Sequence, residues 1–325
     1  MKVIHYDLPG PPDVLKLFNK ETPEPQDDQI LIKTEAIGVN RPDLLQREGL
    51  YPAPINHSKI LGLEASGIIK KIGKNVKEFR IGDRVCALLD GGGYAEYCVA
   101  NEGQTLKIPK NLSFEEGAAI PECFFTCWSN LVDRGNLKTN QNVLVHGGSS
   151  GIGTTAIQIL KLFDAKIFVT VGNDKKKIFC ENLGSNFCIN YNKDDYFKFI
   201  KSKIEKRGLD IILDMVGGDY VQKHIDLLAN DGKLINIAYQ KGSKIELNLM
   251  KVMLKRLIIT GSTLRIRSSI FKGQILRELK KHVFPSFENE RIKCYIDSVY
   301  NLEDAAEAHK RMESSNHIGK IIIKV

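Results

Sequence analysis

The chain of 325 residues is predicted to be an α/β protein in which a doubly wound parallel sheet is joined to a second, strand-rich unit. Three observations predict this. From about Glu122 onward, apolar strand-like runs alternate with amphipathic helical stretches, the pattern of a parallel sheet covered on both faces. The preceding part alternates short β-branched runs with glycine and proline turns instead. A cluster of glycines and serines, GGSSGIG at 147–153, separates the first strand of the alternating part from its helix.

Taken in order, "QILIKTEAIGV", "ASGIIKKIG", "DRVCALL" and "YAEYCVA" read as strands within residues 1 to 110. "NVLVHGG" then opens the alternating part and precedes a helix over Ile152 to Phe163. "AKIFVTVG" precedes a helix over Lys175 to Leu183, and "NFCINY" one over Asp194 to Lys206. "LDIILDMVGG" is followed by a helix over Tyr220 to Ala229, and "GKLINIA" and "RLIITGS" supply two more strands. A long amphipathic helix is expected over "SSIFKGQILRELKKHVFPSF", and the closing "HIGKIIIKV" is expected to rejoin the first unit as a strand. No tandem repeat or low-complexity linker interrupts this order.

Composition narrows the class. With 42% hydrophobic and 26% charged residues the chain can bury sizeable cores, and its length suits two domains rather than one. No apolar run reaches the length of a membrane span, and "MKVIHYDLPGPPDVL" lacks the apolar centre of a secretory signal. A cytoplasmic protein without a membrane partner is expected. The seven cysteines are scattered without a Cys-x-x-Cys pair, which indicates reduced, buried thiols rather than a disulfide framework or zinc ribbon. The formal charge is +8, but the basic residues are dispersed rather than gathered in one stripe, so a nucleic-acid partner is not expected from charge.

The glycine cluster carries the first chemical signal. After Val143 to Val145 the chain must turn into a helix, and Gly148, Gly151 and Gly153 stand where side chains would block a phosphate or the helix–strand contact. Counted from Gly148, the Gly-x-Gly-x-x-Gly fingerprint has Ser150 in its second glycine place and Gly151 beside it. Position at the first strand–helix turn favours dinucleotide binding over a merely structural turn. About 20 residues further on, an NAD site wants a carboxylate for the ribose hydroxyls. Here Gly172 and Asn173 stand at that place, followed by Lys175, Lys176 and Lys177, so NADPH is favoured over NADH. Asp174 works against that reading, and a solvated helix start is the other explanation of the lysines. Val216 with Gly217, and Ala238 with Tyr239, end later strands where open α/β sheets bind ligands.

Further segments occur in order along the chain: "GVNRPDLLQREGLYP", "ILGLEASGII", "IGDRVCALLDGGGYAEY", "AAIPECFFT", "INYNKDD" and "AHKRMESSNHIGKIII". With the glycine loop they make the whole chain resemble the medium-chain dehydrogenase/reductase superfamily. The nearest resemblance is to its quinone oxidoreductase (zeta-crystallin-like) branch and, there, to the tumour-suppressor-inducible quinone reductases. The resemblance implies a GroES-like catalytic domain from residues 1–121 and 266–325. It also implies a Rossmann domain over 122–265, a coenzyme in the cleft between them, and a homodimer joined through Rossmann edge strands.

Zinc-dependent relatives open the first motif with a cysteine and fill the second with a His-Glu pair, whereas this chain has Asn40 and Leu63–Glu64. Glu122 falls near a third ligand position, but two carboxylates without nitrogen or sulfur make a poor zinc site. A metal-free enzyme is expected. Its acceptor must need little polarisation, which suits quinones, ortho-quinones in particular, or enones including enoyl thioesters. Whether electrons pass as a hydride or singly stays open.

By resemblance, Tyr51 and Asn40 contact the substrate. Asn40, Thr126, the loop Gly148, Ser149, Ser150, Gly151, Ile152 and Gly153, the pair Gly172 and Asn173, Lys176, Tyr191, Val216, Gly217, Ala238, Tyr239, Leu264 and Arg265 contact NADPH, with Arg267 near a phosphate. Packing for Tyr51, an Asx turn for Asn40 and a helix cap for Thr126 are their structural alternatives. None of the histidines shows zinc spacing or triad logic, and His146 reads as a packed residue. No acid or base is assigned. The alternative of a different class is a nucleotide-fold protein that acts on RNA or another partner through its surface.

Overall fold

Runs such as Asn142–His146 (NVLVH) and Leu209–Asp214 (LDIILD) are apolar on both faces, as strands buried between helix layers must be. In the computed structural model, which describes residues 1–204 and 207–325, they lie at the centre of a six-stranded sheet. The strand order is Phe187–Asn190, Lys166–Val171, Asn142–His146, Leu209–Asp214, Leu228–Asn236 and Ile258–Gly261, and every pairing is parallel. This is the doubly wound order. Its direction reverses between Asn142–His146 and Leu209–Asp214, where such sheets open a crevice at the carboxyl ends of their strands.

Helices Gly151–Lys161, Asp174–Leu183, Tyr196–Lys203 and Tyr220–Leu227 follow the first four strands. Leu144, Phe168, Ile189, Ile212 and Leu234 pack with Tyr196, Ile200, Val221 and Ile225 in one buried cluster. Local chemistry sets the helix ends. Ser150, Asn173 and Asp195 each accept backbone N–H bonds as N-caps, so the third helix begins after Asp195 rather than at Asp194. The end expected for it at Lys206 lies outside the described residues. Gly184 closes the second helix at φ +116°, a left-handed conformation that favours glycine. Helix Tyr220–Leu227 stops short of Ala229 because Leu228 already enters the next strand.

The other unit is β-rich. Strands Ile296–Asn301, Lys320–Lys324, Gln29–Gly38, Glu64–Ile72, Arg84–Leu88 and Thr105–Lys107 follow one another in its sheet, and Tyr97–Asn101 also pairs with Gln29–Gly38. Lys2–His5 and Lys16–Asn19 form a separate hairpin sheet. The closing segment rejoins this unit as expected: Ile323 lies opposite Ile37 in an antiparallel ladder.

The long helix expected over residues 268–287 is two helices, Ser269–His282 and Phe284–Glu288, because Pro285 can start a helix but not continue one. The two units are Met1–Phe125 with Leu264–Val325, and Thr126–Thr263. The division falls after Phe125 rather than after residue 121, and before Leu264 rather than after residue 265. Phe124 packs on Phe287 at 5.2 Å between ring centroids, and Arg265 hydrogen-bonds to Gln46, both within the first unit.

Candidate functional site

The strand Asn142–His146 runs into Gly147 at φ +69°, and helix Gly151–Lys161 starts behind the turn. A Cβ on Gly148 would lie 2.6 Å from the Val169 Cβ, and one on Gly153 would lie 2.3 Å from the Gly147 carbonyl oxygen. These two positions therefore need glycine for packing. Ser150 takes the remaining fingerprint place by capping. Its Oγ accepts from the Gly153 N–H (3.1 Å) and donates to the Gly147 carbonyl (2.8 Å), so the hydroxyl is drawn into the turn. The N–H groups of Gly151 and Ile152, in the first turn, have no intrahelical acceptor and carry the positive end of the helix dipole. Ser149 is buried beside them. The loop fits a pyrophosphate.

At the end of the next strand, Gly172 is pressed by Tyr191, whose hydroxyl would lie 2.9 Å from an added Cβ. Asn173 caps helix Asp174–Leu183 through the Lys176 N–H (2.9 Å). Lys176 is buried, while Tyr191 is exposed. The Asp174 complication resolves: its carboxylate accepts from Lys193 and from Asn190 Nδ2, and these bonds hold its pKa below the ordinary value. A carboxylate already paired in this way offers little repulsion to a 2′-phosphate.

Beyond the switch point, Asp214 organises the next loop. It accepts the N–H groups of Val216 (2.7 Å) and Gly217 (3.1 Å) and the amide of Asn236 (2.8 Å). The N–H groups of Val216 and Gly217 are thus spent within the protein, and the Gly217 carbonyl accepts from the Tyr220 N–H. The Gln240 N–H donates to Met215 and the Lys241 N–H to Val216, which ties the Ala238–Tyr239 segment to this loop. Beneath them His146 meets Thr170 (2.8 Å) through Nδ1 and His224 (2.7 Å) through Nε2. His146, Asp214 and His224 are fully buried and close enough together to suggest a metal cluster. However, the two Nε2 atoms are occupied with one another and Asp214 with the backbone. His146 is a packed residue, as its sequence context suggests, and burial pushes its pKa down to about 3.

In the first unit, Asn40 precedes helix Arg41–Arg47 and is buried. Its Nδ2 donates to the Gly38 carbonyl (3.2 Å) and Glu64 Oε1 (2.8 Å), and its Oδ1 accepts from Lys320 Nζ (2.7 Å). Lys320 also donates to Glu64 Oε1 (2.6 Å) and the Val39 carbonyl (3.0 Å). Asn40 thus has both amide hydrogens engaged within the protein, and it positions Glu64 and Lys320.

Tyr51, just after that helix, is half-buried, and its hydroxyl has no hydrogen-bond partner among the described residues. Burial raises its pKa, with Arg265 opposing and Glu122 adding to the shift. Arg265 is buried and engaged with Gln46 Oε1 (2.6 Å) and the Ser58 carbonyl (3.2 Å). The guanidinium clamps the segment that carries Tyr51, while its buried Nε has no hydrogen-bond partner among the described residues. Leu264 belongs to the same unit, and Arg267 lies over the Phe271 ring at 4.1 Å. Thr126 sits in the last turn of helix Pro121–Cys127, not at its start, so helix capping does not explain it; its carbonyl accepts from Asn130 Nδ2.

Two family descriptions match this sequence: "Alcohol dehydrogenase GroES-like domain" over residues 26–110 and "Zinc-binding dehydrogenase" over residues 183–323. A human protein named quinone oxidoreductase is 34% identical over 97% of this chain and 94% of its own length. The chain belongs to the medium-chain dehydrogenase/reductase superfamily. A zebrafish (Danio rerio) superfamily member, the synaptic vesicle membrane protein VAT-1 homolog, is 31% identical over 96% of this chain and 67% of its own. The solved Escherichia coli quinone oxidoreductase in complex with NADPH has a TM-score of 0.89 at 28% identity, covering all of both chains. The solved CurK enoyl reductase shares the fold at a TM-score of 0.87 and 24% identity.

Against the superfamily's zinc-dependent pattern, the decisive residue is one that sequence reasoning passed over. Lys320 places an ammonium on Asn40 and Glu64, at the positions where such members bind their metal. Burial opposes its charge, but Glu64 more than offsets this and raises the Lys320 pKa. Leu63 offers no donor, and Glu64 has both oxygens committed, Oε2 to the Glu122 N–H (2.8 Å). These donors do not fit zinc. The signal available in the sequence was a lysine directly preceding the three isoleucines of the closing strand "KIIIK".

Proposed function

We propose that this protein is an NADPH-dependent oxidoreductase that reduces quinones, ortho-quinones among them, without zinc. The observation that carries the reading is the Lys320 ammonium seated on Asn40 and Glu64. With a fixed internal cation in place of a Lewis acid, the acceptor must delocalise incoming charge by itself, as quinones and α,β-unsaturated carbonyls do. When bound, NADPH supplies a hydride from its nicotinamide. The relatives named quinone oxidoreductase, one of them solved with NADPH, support the same reading.

The chain's own residues divide the work. The Gly151 and Ile152 N–H groups receive the pyrophosphate. Lys176, Tyr191 and the Asn173-capped helix start receive the 2′-phosphate, with Asp174 already neutralised by Lys193. The Tyr51 hydroxyl, without a protein partner, donates to the acceptor oxygen. The cytoplasm suits the seven free cysteines, six of them buried. The protein acts as a homodimer through the edge strand Ile258–Gly261.

A stopped-flow screen of NADPH oxidation with ortho-quinones, para-quinones and enones, on enzyme treated with a chelator, tests the reading. Turnover is expected to survive chelation. Tyr51→Phe is expected to lower it about tenfold, the loss of one hydrogen bond. Lys176→Ala is expected to weaken NADPH at least about tenfold while leaving NADH unchanged. Loss of activity on chelation, or equal effects on both coenzymes, contradicts the corresponding assignment. Salt-sensitive RNA retention without NADPH turnover would favour the non-enzymatic alternative.

A further inference from the structure

In a sheet of this order, coenzyme choice is made just beyond the strand Lys166–Val171: an acid there receives the ribose hydroxyls of NADH, and cations there receive the 2′-phosphate of NADPH. This chain carries both. Asp174 opens helix Asp174–Leu183 directly after Gly172 and Asn173, and Lys175, Lys176 and Lys177 follow it. A free carboxylate at that place would repel the phosphate that the lysines attract.

The carboxylate is not free. The turn after strand Phe187–Asn190 reaches it with two side chains, Asn190 Nδ2 donating to Asp174 Oδ1 (2.7 Å) and Lys193 Nζ to Asp174 Oδ2 (2.5 Å). Each carboxylate oxygen thus has its own donor. Asn192, from the same turn, donates through Nδ2 to the Gly172 carbonyl (2.7 Å). The turn itself is well tied: the N–H groups of Lys193 and Asp194 donate to the Asn190 carbonyl (3.0 and 2.9 Å), and the Tyr191 N–H donates to the Val171 carbonyl (3.0 Å). Asn190 is buried, which fixes the neutral donor, while the ion pair beside it is exposed. Lys193 first, and Asn190 second, hold the Asp174 carboxyl below its ordinary pKa, and Asp174 in turn raises that of Lys193.

We infer that Lys193, supported by Asn190, determines coenzyme specificity by holding Asp174 out of use, so that the site takes the 2′-phosphate of NADPH rather than the ribose hydroxyls of NADH. The inference rests on the reading that the adenosine end of NADPH lies at Lys176 and Tyr191. Lys193 is a positioning residue: it acts through Asp174 and not on the phosphate. The acid of an NADH site is therefore present in this chain but masked, and one substitution uncovers it.

Calorimetric titration with adenosine 2′,5′-bisphosphate and with adenosine 5′-monophosphate, which differ only in the 2′-phosphate, reads the preference without turnover. The wild type is expected to bind the bisphosphate more tightly. Lys193→Gln should weaken the bisphosphate about fivefold, the scale of an exposed charge interaction, and leave the monophosphate at least as tightly bound. Raising the salt should shrink that loss. Lys193→Gln combined with Asp174→Asn should return the preference to within about twofold of the wild type, because the second change removes the carboxylate that the first exposes. A double variant as weak toward the bisphosphate as Lys193→Gln alone would show that the ammonium meets the phosphate itself, and equal weakening of both ligands would show a merely structural role. Either result overturns the inference and leaves NADPH binding in place. A wild type without preference for the bisphosphate overturns the NADPH reading as well.

Discussion

Lys320 shows how much one side chain can decide. It is almost fully buried, and the carboxylate it meets is completely so. Removing one partner of such a pair leaves an uncompensated charge in a low-dielectric interior. Lys320→Met is therefore expected to lower unfolding free energy by about 3–5 kcal/mol, and Lys320→Met with Glu64→Gln to recover part of it. Urea titration of both variants checks this; equal losses would mean that the ion pair is not the cause. At this scale the sequence was only partly legible. The glycines could be read because Gly148 and Gly153 are imposed by contacts within a local turn. The protein partners of Asn40 and Arg265 could not be read, because Lys320 and Gln46 lie 280 and 219 residues away along the chain, beyond any spacing rule.

Among the elements, the carboxyl end of strand Asn142–His146 is pinned to helix Tyr220–Leu227 by the His146–His224 hydrogen bond. Both imidazoles are held neutral: burial lowers the His146 pKa to about 3, and burial, with His146 and Lys223 adding, pushes His224 well down. In the unfolded chain they would titrate near the ordinary 6.5, so below that value the unfolded state binds more protons. This contribution to stability is complete above pH 6.5 and is lost as pH falls toward 3, at about 1.4 kcal/mol per pH unit for each histidine. Urea unfolding between pH 7 and pH 4 should show that slope, and His146→Gln should flatten it; an unchanged slope would place the acid sensitivity elsewhere. The strands and helices themselves were largely legible, because caps such as Ser150 and Asn173 and the period-switching apolar pattern act locally. The long helix was not, because the break at Pro285 was read through rather than as a stop.

For the whole molecule, the strand order of the second unit follows from the alternating pattern and the right-handed crossover rule, and both were open to sequence reasoning. Its last strand, Ile258–Gly261, is an edge, and Ile258 and Ile259 are exposed there, with Met253 and Leu254 of the preceding helix exposed as well. An unpaired apolar edge of this kind is a template for pairing with a second chain. Light scattering is expected to give a dimer for the wild type and a monomer for Ile259→Asp; a monomeric wild type would remove the proposed assembly.

Gln29–Gly38 is the strand on which residues 320–324 lie. During synthesis the sheet that holds Asn40 and Glu64 thus waits, unsealed, until that late segment has left the ribosome, whereas every strand of the six-stranded sheet has emerged once residue 261 is out. The usual amino-to-carboxyl succession of folding is thereby inverted, and the nucleotide-fold half is free to form while the half translated first is still incomplete.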